Sequence, residues 1–198
     1  RIHILDNLST GFRSAVLHGE LIEGDTNDAS LVSELLKSRK IESVLHFAAH
    51  IVVPESVANP LKYYRNNTGG TLTLLQCCVE AGVKNFIFSS TAAVYGIPSG
   101  GIASEETPTA PINPYGSSKL MSEWMLRDAA AAHPFRYVAL RYFNVAGAEP
   151  GGRIGQSTPE ATHLIKVACE HVVGRRDKVS IFGTDYDTPD GTCVRDYI

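Results

Sequence analysis

Asn85-Phe86-Ile87-Phe88-Ser89-Ser90-Thr91 is an apolar run that ends in three hydroxyls, and its reading decides the fold. Such a run, bounded by polar residues, predicts a buried strand of a parallel sheet. Downstream, Tyr137-Val138-Ala139-Leu140-Arg141-Tyr142-Phe143-Asn144 repeats the pattern, a strand ending in polar groups. Between them stands Tyr115-Gly116-Ser117-Ser118-Lys119, whose tyrosine and lysine are four residues apart and so share one helix face. An ammonium beside a phenol favours the phenolate, which makes Tyr115 a candidate base for a sugar or alcohol hydroxyl. Alone, the spacing reads rather as a helical tyrosine and lysine that face solvent. Set between two strands with polar carboxyl ends, where open α/β sheets gather their ligands, it reads as a site.

Working outward, strands and helices alternate. Ile2 to Leu5 is a strand ending at Asp6, Leu21 to Asp25 is a second, and Ser30 to Arg39 follows as an amphipathic helix after Asn27 and Asp28. Ser43 to Phe47 is the next strand. A long helix is expected from about Pro60 to Ala81, closed by Gly82. The segment Gly96 to Pro114 reads as a long loop before the helix of Tyr115. This order predicts a doubly wound parallel α/β sheet, Rossmann-like and covered on both faces. Beyond Ala146 the composition shifts to Gly and Pro, so residues 1–146 read as the sheet domain and 147–198 as the beginning of a smaller lobe.

The chain has 198 residues, 43% hydrophobic and 20% charged, as in globular domains, with a formal net charge of -3. That charge leaves no basic face for nucleic acid. No run of about 18 apolar residues is present, which argues against a membrane partner, and the expected location is cytoplasmic. Cys77, Cys78, Cys169 and Cys193 have no disulfide-framework density or metal-ligand spacing and read as buried free thiols; no metal site is expected.

Successive strand ends carry groups suited to a dinucleotide. Asp6 would accept both hydroxyls of an adenosine ribose and repel a 2'-phosphate, favouring NAD over NADP. Asp25 would face the adenine amine, Phe47-Ala48-Ala49 would let backbone approach a pyrophosphate, and Asn66 would reach a ribose. The glycine-rich turn of a Rossmann unit, which opens the first helix after the first strand, is missing. Asp6 would be the acid that such a unit delivers. With Arg1 directly before an apolar strand and Asp196-Tyr197-Ile198 at the end, both termini read as cuts through a larger protein, with an empty slot beside Ile2 to Leu5. The chain expressed alone is expected to be aggregation-prone, poor at holding NAD and inactive.

Together, Ile4-Leu5-Asp6-Asn7-Leu8-Ser9, Val44 to Ala49, Pro54-Glu55-Ser56, Phe88 to Gly96, Pro114 to Lys119, Leu140 to Asn144 and Asp190 to Ile198 resemble the UDP-glucose 4-epimerase (UDP-galactose 4-epimerase) group of the extended short-chain dehydrogenase/reductase family, over essentially the whole chain. The resemblance implies Thr91, Tyr115 and Lys119 as the catalytic set. It puts Asp6 and Asn7 at the adenosine ribose, Asp25 and Thr26 at the adenine, and Phe47, Ala48 and Ala49 at the pyrophosphate. Asn66, Ser89, Tyr142 and Phe143 would surround the nicotinamide half, with Tyr115 and Lys119. Asn144, His163, Leu164, Ser180, Phe182, Arg195 and Tyr197 would line a UDP-sugar pocket. Two departures stand out: His50-Ile51-Val52 replaces a lysine that family members place against the cofactor, and His163 stands where an asparagine is frequent.

By that resemblance the reaction is NAD-dependent epimerisation at C4 of a UDP-sugar, glucose to galactose, in galactose metabolism, through a 4-keto sugar, with a homodimer formed by two long helices. Related 4,6-dehydratases carry an acid and a base after the strand-end threonine; here Thr91 is followed by Ala92 and Ala93, which disfavours elimination. Epimerases of UDP-xylose, UDP-glucuronate or N-acetylated sugars share the same motifs, and a non-catalytic nucleotide-sugar-binding fragment is the reading from a different class.

Overall fold

In a computed structural model that describes residues 1–158 and 161–198, the apolar runs are parallel strands. β1 (His3–Asp6) pairs with β2 (Glu20–Glu23). β3 (Ser43–His46), β4 (Asn85–Ser89) and β5 (Arg136–Leu140) form a second group in the order β3-β4-β5. His46 lies level with Phe88, and Phe88 with Ala139, so the three carboxyl ends come out together. Among the described residues β1 pairs only with β2, so the strands form two groups, in keeping with the slot expected beside Ile2 to Leu5.

Capping explains where the helices begin. Asp28 accepts the Leu31 N–H at 3.0 Å and opens α1 (Ala29–Ser38), whose Val32 and Leu36, one turn apart, are buried. Asn113 accepts the Gly116 N–H at 2.9 Å and opens α5 (Pro114–Ala132), with Pro114 at the first helical position. The helix expected over Pro60 to Ala81 is not uniform. α2 (Val53–Ala58) and α3 (Pro60–Tyr63) lead into a π-helical turn, Tyr64–Gly69, and then α4 (Gly70–Ala81), which Gly82 closes at φ +74°. The wide turn frees Asn67 to clamp the loop after β3. Its Oδ1 accepts the His50 N–H at 2.8 Å, and its Nδ2 donates to His50 O at 3.0 Å and Ser118 Oγ at 3.1 Å.

The core lies on one face of the β3-β4-β5 group. Phe86 and Phe88 are 1% exposed and pack with Val32, Leu74, Leu75, Cys78, Leu126 and Phe135. Each such ring contributes roughly 1.5–3 kcal/mol by leaving water. The other face shows Leu45, Val138 and Leu140 at 59%, 54% and 40% exposure. Of the helices, α1, α4 and α5 pack on the Phe86 and Phe88 face. The strand order steps one way from β3 to β5, and right-handed crossovers that step one way lay their helices on one side. Cys77 and Cys78 are buried as read, but Cys169 is exposed and Cys193 half-buried; all four are free thiols.

The backbone groups into two compact units, Arg1–Leu8 with His18–Tyr142, and Ser9–Leu17 with Phe143–Ile198. That division comes four residues before the boundary read from composition at 146, and it sends residues 9–17 to the second unit. The second unit carries α6 (Leu164–Val172) and short bridges, Asn144 to Tyr197 and Ala148 to Gly155. Glu170 of α6 is held by Lys166 at 2.8 Å and Arg176 at 3.1 Å.

Candidate active site

The carboxyl end of β4 is where the chemistry-bearing side chains of the first unit meet. Beyond Ser89 the chain runs extended through Thr91, whose Oγ1 accepts the Ala93 N–H at 3.1 Å and starts a 3-10 helix, Ala92–Tyr95. Ala92 N–H donates to Tyr142 O at 3.1 Å, and Ser89 Oγ shares a short hydrogen bond with the Tyr142 hydroxyl, so the ends of β4 and β5 are tied. α5 packs against this corner because Gly116 has no side chain: a Cβ there would come within 2.8 Å of Ala93 O. Tyr115 and Lys119 then face the strand ends from successive turns.

Lys119 is 3% exposed. Its ammonium donates to Ser89 O at 2.9 Å and sits 4.9 Å from the centre of the Phe88 ring. Burial pulls its pKa down to about 8, so it remains a cation at neutral pH. Burial pushes Tyr115 up, its hydrogen bond with Thr91 pulls it back, and Tyr142 adds a smaller upward push. The ammonium bonds a carbonyl of β4, while the Thr91 hydroxyl favours the phenolate. Beneath this corner His46 is 4% exposed and held down to about 3, first by burial and then by the Lys119 charge. Thr71 Oγ1 donates to Asn67 O at 2.6 Å, so its contact with His46 Nε2 at 3.0 Å assigns the ring proton to Nε2.

The ends of β1 and β2 form a second polar group. Asp6 Oδ1 accepts the Leu8 N–H at 2.7 Å. Asp25 takes three donors: Asn7 Nδ2 at 2.9 Å, Asn27 N at 2.8 Å and Asn27 Nδ2 at 2.7 Å, and these hold its carboxyl below the usual range. Asp25 thus ties the two strand ends together, a role its place in the sequence does not reveal. Thr26 lies beside Gly70, where a Cβ would come within 3.2 Å of its Oγ1. An open cleft of about 610 Å³ borders Asp25, Asn27, His50, Lys62 and Asn66. Asn66, in the π-helical turn, donates to Asn67 Oδ1 at 3.0 Å. Phe47 (57% exposed), Ala48 and Ala49 follow β3 directly. A second cavity of about 480 Å³, at Lys84, His133 and Phe135, borders none of these residues.

In the second unit Asn144 and Tyr197 are brought together. Asn144 N and Nδ2 both donate to Asp196 O, at 3.3 and 3.1 Å, and Ile198 N donates back to Asn144 O at 3.0 Å. Phe143 is 47% exposed. His163 precedes α6 and accepts from Gln156 Nε2 at 2.7 Å, and Leu164 is the first residue of that helix. Ser180 and Phe182 lie exposed on irregular chain, and Arg195 donates to Val194 O at 3.0 Å. No hydrogen bond among the described residues joins these last five to Asn144 or Tyr197.

The reading of the residues missed Ser90, Glu123 and Arg141, which are linked at the same corner. Its available signal was Glu123 falling one turn beyond Lys119 on the face of Tyr115.

A family model described as the NAD dependent epimerase/dehydratase family matches residues 1–198. The chain belongs to this family. One family relative, a UDP-glucose 4-epimerase of Azospirillum brasilense, is 60% identical over 195 residues, 98% of this chain and 56% of the relative. A UDP-glucose 4-epimerase of Brucella ovis, solved in complex with NAD, matches with a TM-score of 0.94 at 49% identity, over 99% of this chain and 60% of that one. One from Bifidobacterium longum, in complex with NAD+ and UDP, matches with a TM-score of 0.94 at 40% identity, over 99% of this chain and 62% of that one. The Rossmann-like fold and the resemblance read from the motifs are borne out. The chain spans about three-fifths of the length of these relatives. Among the described residues, no helix is long and apolar enough to cross a membrane.

Proposed function

We propose that the full-length protein to which this chain belongs interconverts UDP-glucose and UDP-galactose, in galactose metabolism, with NAD as cofactor. The observation that carries the reading is the meeting of Thr91, Tyr115 and Lys119 at the carboxyl end of β4, with Thr91 capping the turn after the strand and Lys119 anchored to Ser89 O.

The donor set suits NAD. Of the three donors of the Lys119 ammonium, one goes to Ser89 O, and a nicotinamide ribose can take others. Asp6, at the end of β1, suits the adenosine ribose beside Asn7, while Asp25 and Thr26 frame the adenine. Phe47, Ala48 and Ala49 are assigned to the pyrophosphate, and Asn66, Ser89, Tyr142 and Phe143 to the nicotinamide half. NAD held by these residues would supply reversible hydride acceptance at C4 of the sugar.

Tyr115 Oη takes the proton of the 4'-hydroxyl as the hydride leaves and gives it back on return. Thr91 donates to the same oxygen and orients it. The Lys119 charge, held in a dry site, favours the phenolate through space, which a solvated lysine would do only weakly. At the two positions after Thr91, Ala92 and Ala93 offer no acid or base to expel water, so the keto sugar returns to an alcohol rather than eliminating.

Residues 1–146 are assigned to NAD binding and 147–198 to the start of the nucleotide-sugar lobe, with Asn144, His163, Leu164, Ser180, Phe182, Arg195 and Tyr197 toward the UDP-sugar. A homodimer is assigned to the helix face of Leu61, Leu72, Met121 and Trp124, which are 75%, 46%, 39% and 48% exposed. A Trp124→Glu variant that sediments as the parent does would remove that assignment.

The test is conversion of UDP-galactose to UDP-glucose by the full-length protein, with UDP-N-acetylglucosamine, UDP-xylose and UDP-glucuronate in parallel. Turnover without added reductant is expected. Release of a 4-keto-6-deoxy sugar, or no turnover by protein that retains NAD, would overturn the reading.

A further inference from the structure

Glu123 is a charged residue at 6% exposure, on the helix face that carries Tyr115 and Lys119. Its carboxylate is fully engaged. Ser90 Oγ donates a short hydrogen bond to Oε1, Arg141 Nε donates to both oxygens at 3.0 and 3.1 Å, and Arg141 Nη2 donates to Oε2 at 2.6 Å. Arg141, just past β5, in turn lies 5.0 Å from the centre of the Tyr95 ring, in the 3-10 helix after Thr91. Stability does not account for this arrangement, because apolar replacement of a buried ion pair is often neutral or stabilising. What a buried, multiply bonded pair imposes is geometry.

The geometry here has a pattern. Tyr115, Lys119 and Glu123 stand one turn apart on α5, and two of them grip the run that leads to Thr91: Lys119 holds the Ser89 carbonyl and Glu123 the Ser90 hydroxyl, next to the residue whose hydroxyl favours ionised Tyr115. Resting on the function proposed above, we propose that Glu123, braced by Arg141, is a positioning residue that fixes Thr91 against Tyr115 through Ser90. It touches no reacting atom. With Ser90 released, the strand end slides along α5, Thr91 moves relative to Tyr115, and the phenol loses the neighbour that favours its ionised form.

The test uses Glu123→Gln, which keeps shape but weakens both bonds, and Ser90→Ala, which removes only the hydroxyl, in the full-length protein. A misplacement of about 1 Å costs up to roughly 100-fold, so kcat should fall about 10- to 100-fold in Glu123→Gln, and less in Ser90→Ala, with KM within about twofold. On a Tyr115→Phe background neither change should reduce the residual rate further. Amide exchange of Ala92 and Ala93, whose N–H groups bond Tyr142 O and Thr91 Oγ1, should speed up about tenfold in both variants. If Glu123→Gln fails to fold, Ser90→Ala alone decides. Unchanged exchange, or kcat within twofold of an active parent, would overturn this inference alone. An inactive parent, or a Tyr115→Phe variant as fast as the parent, would overturn the proposed function and this inference with it.

Discussion

The carboxyl ends of β4 and of β1 both carry polar groups, yet they are built in opposite ways. At β4, Ser90, Thr91, Lys119 and Glu123 are all buried, and each is held by named partners. At β1 and β2, Asp6 and Asp25 are half-buried and Asn7 is exposed, so their bonds compete with water. Charge at the dry end is expensive and strongly coupled to its neighbours; charge at the wet end is cheap and nearly independent. The difference separates a place suited to moving protons from one suited to holding a ribose. The comparison predicts large, pH-dependent effects at β4 and small ones at β1.

The largest effect should come from Tyr115→Phe in the full-length protein. Loss of a general base typically costs 10²- to 10⁴-fold, so kcat should drop by about three orders of magnitude while bound NAD, read after denaturation, is retained. Activity near that of the parent would break the comparison at once.

Next is Lys119→Met, which should stabilise the fold while abolishing turnover. The folded pKa near 8 lies below the unfolded 10.5, so protonated Lys119 penalises folding at every pH below about 8, and the penalty fades as pH rises to about 10.5. At neutral pH the variant should gain on the order of 3 kcal/mol, and its urea midpoint should lack the rise expected of the parent between pH 8 and 10.5. A destabilised variant would mean that the Ser89 and Phe88 contacts outweigh desolvation.

His46 acts only at acid pH and leaves neutral-pH activity and stability alone. Its folded pKa near 3 lies below 6.5, so the unfolded chain takes up its proton first and stability falls from about pH 6.5 toward pH 3. His46→Gln should flatten that limb of a pH series of thermal midpoints. An unchanged slope would show that other groups carry the acid limb.

The smallest effect is at the wet end. Asp6→Ala should weaken NAD about tenfold, near 1.4 kcal/mol, and narrow its preference over NADP, measured by titration. A loss as large as that at Tyr115 would erase the distinction between the two ends.

Much of this was legible from local pattern. The strand Phe86 to Ser89, its hydroxyl end and the Tyr115–Lys119 pair follow from spacing, because period and helix geometry act over a few residues. Asp28 and Gly82 mark helix ends for the same reason. The π-helical turn at Tyr64–Gly69 was not legible, since it depends on Asn67 reaching His50 and Ser118, far off in sequence. Nor was the Asp25 clamp, because an aspartate after a strand has the same local signature whether it serves a ligand or its neighbours.

By itself, then, the sequence determined the alternation of strands and helices and which residue types stand at each strand end. The tertiary structure alone decided that helices cover one sheet face, that Lys119 turns to a carbonyl of β4, and that Glu123 and Arg141 brace Ser90. The reason is physical. Propensity and period are properties of neighbours along the chain, whereas desolvation and multiply shared hydrogen bonds exist only where distant segments exclude water together.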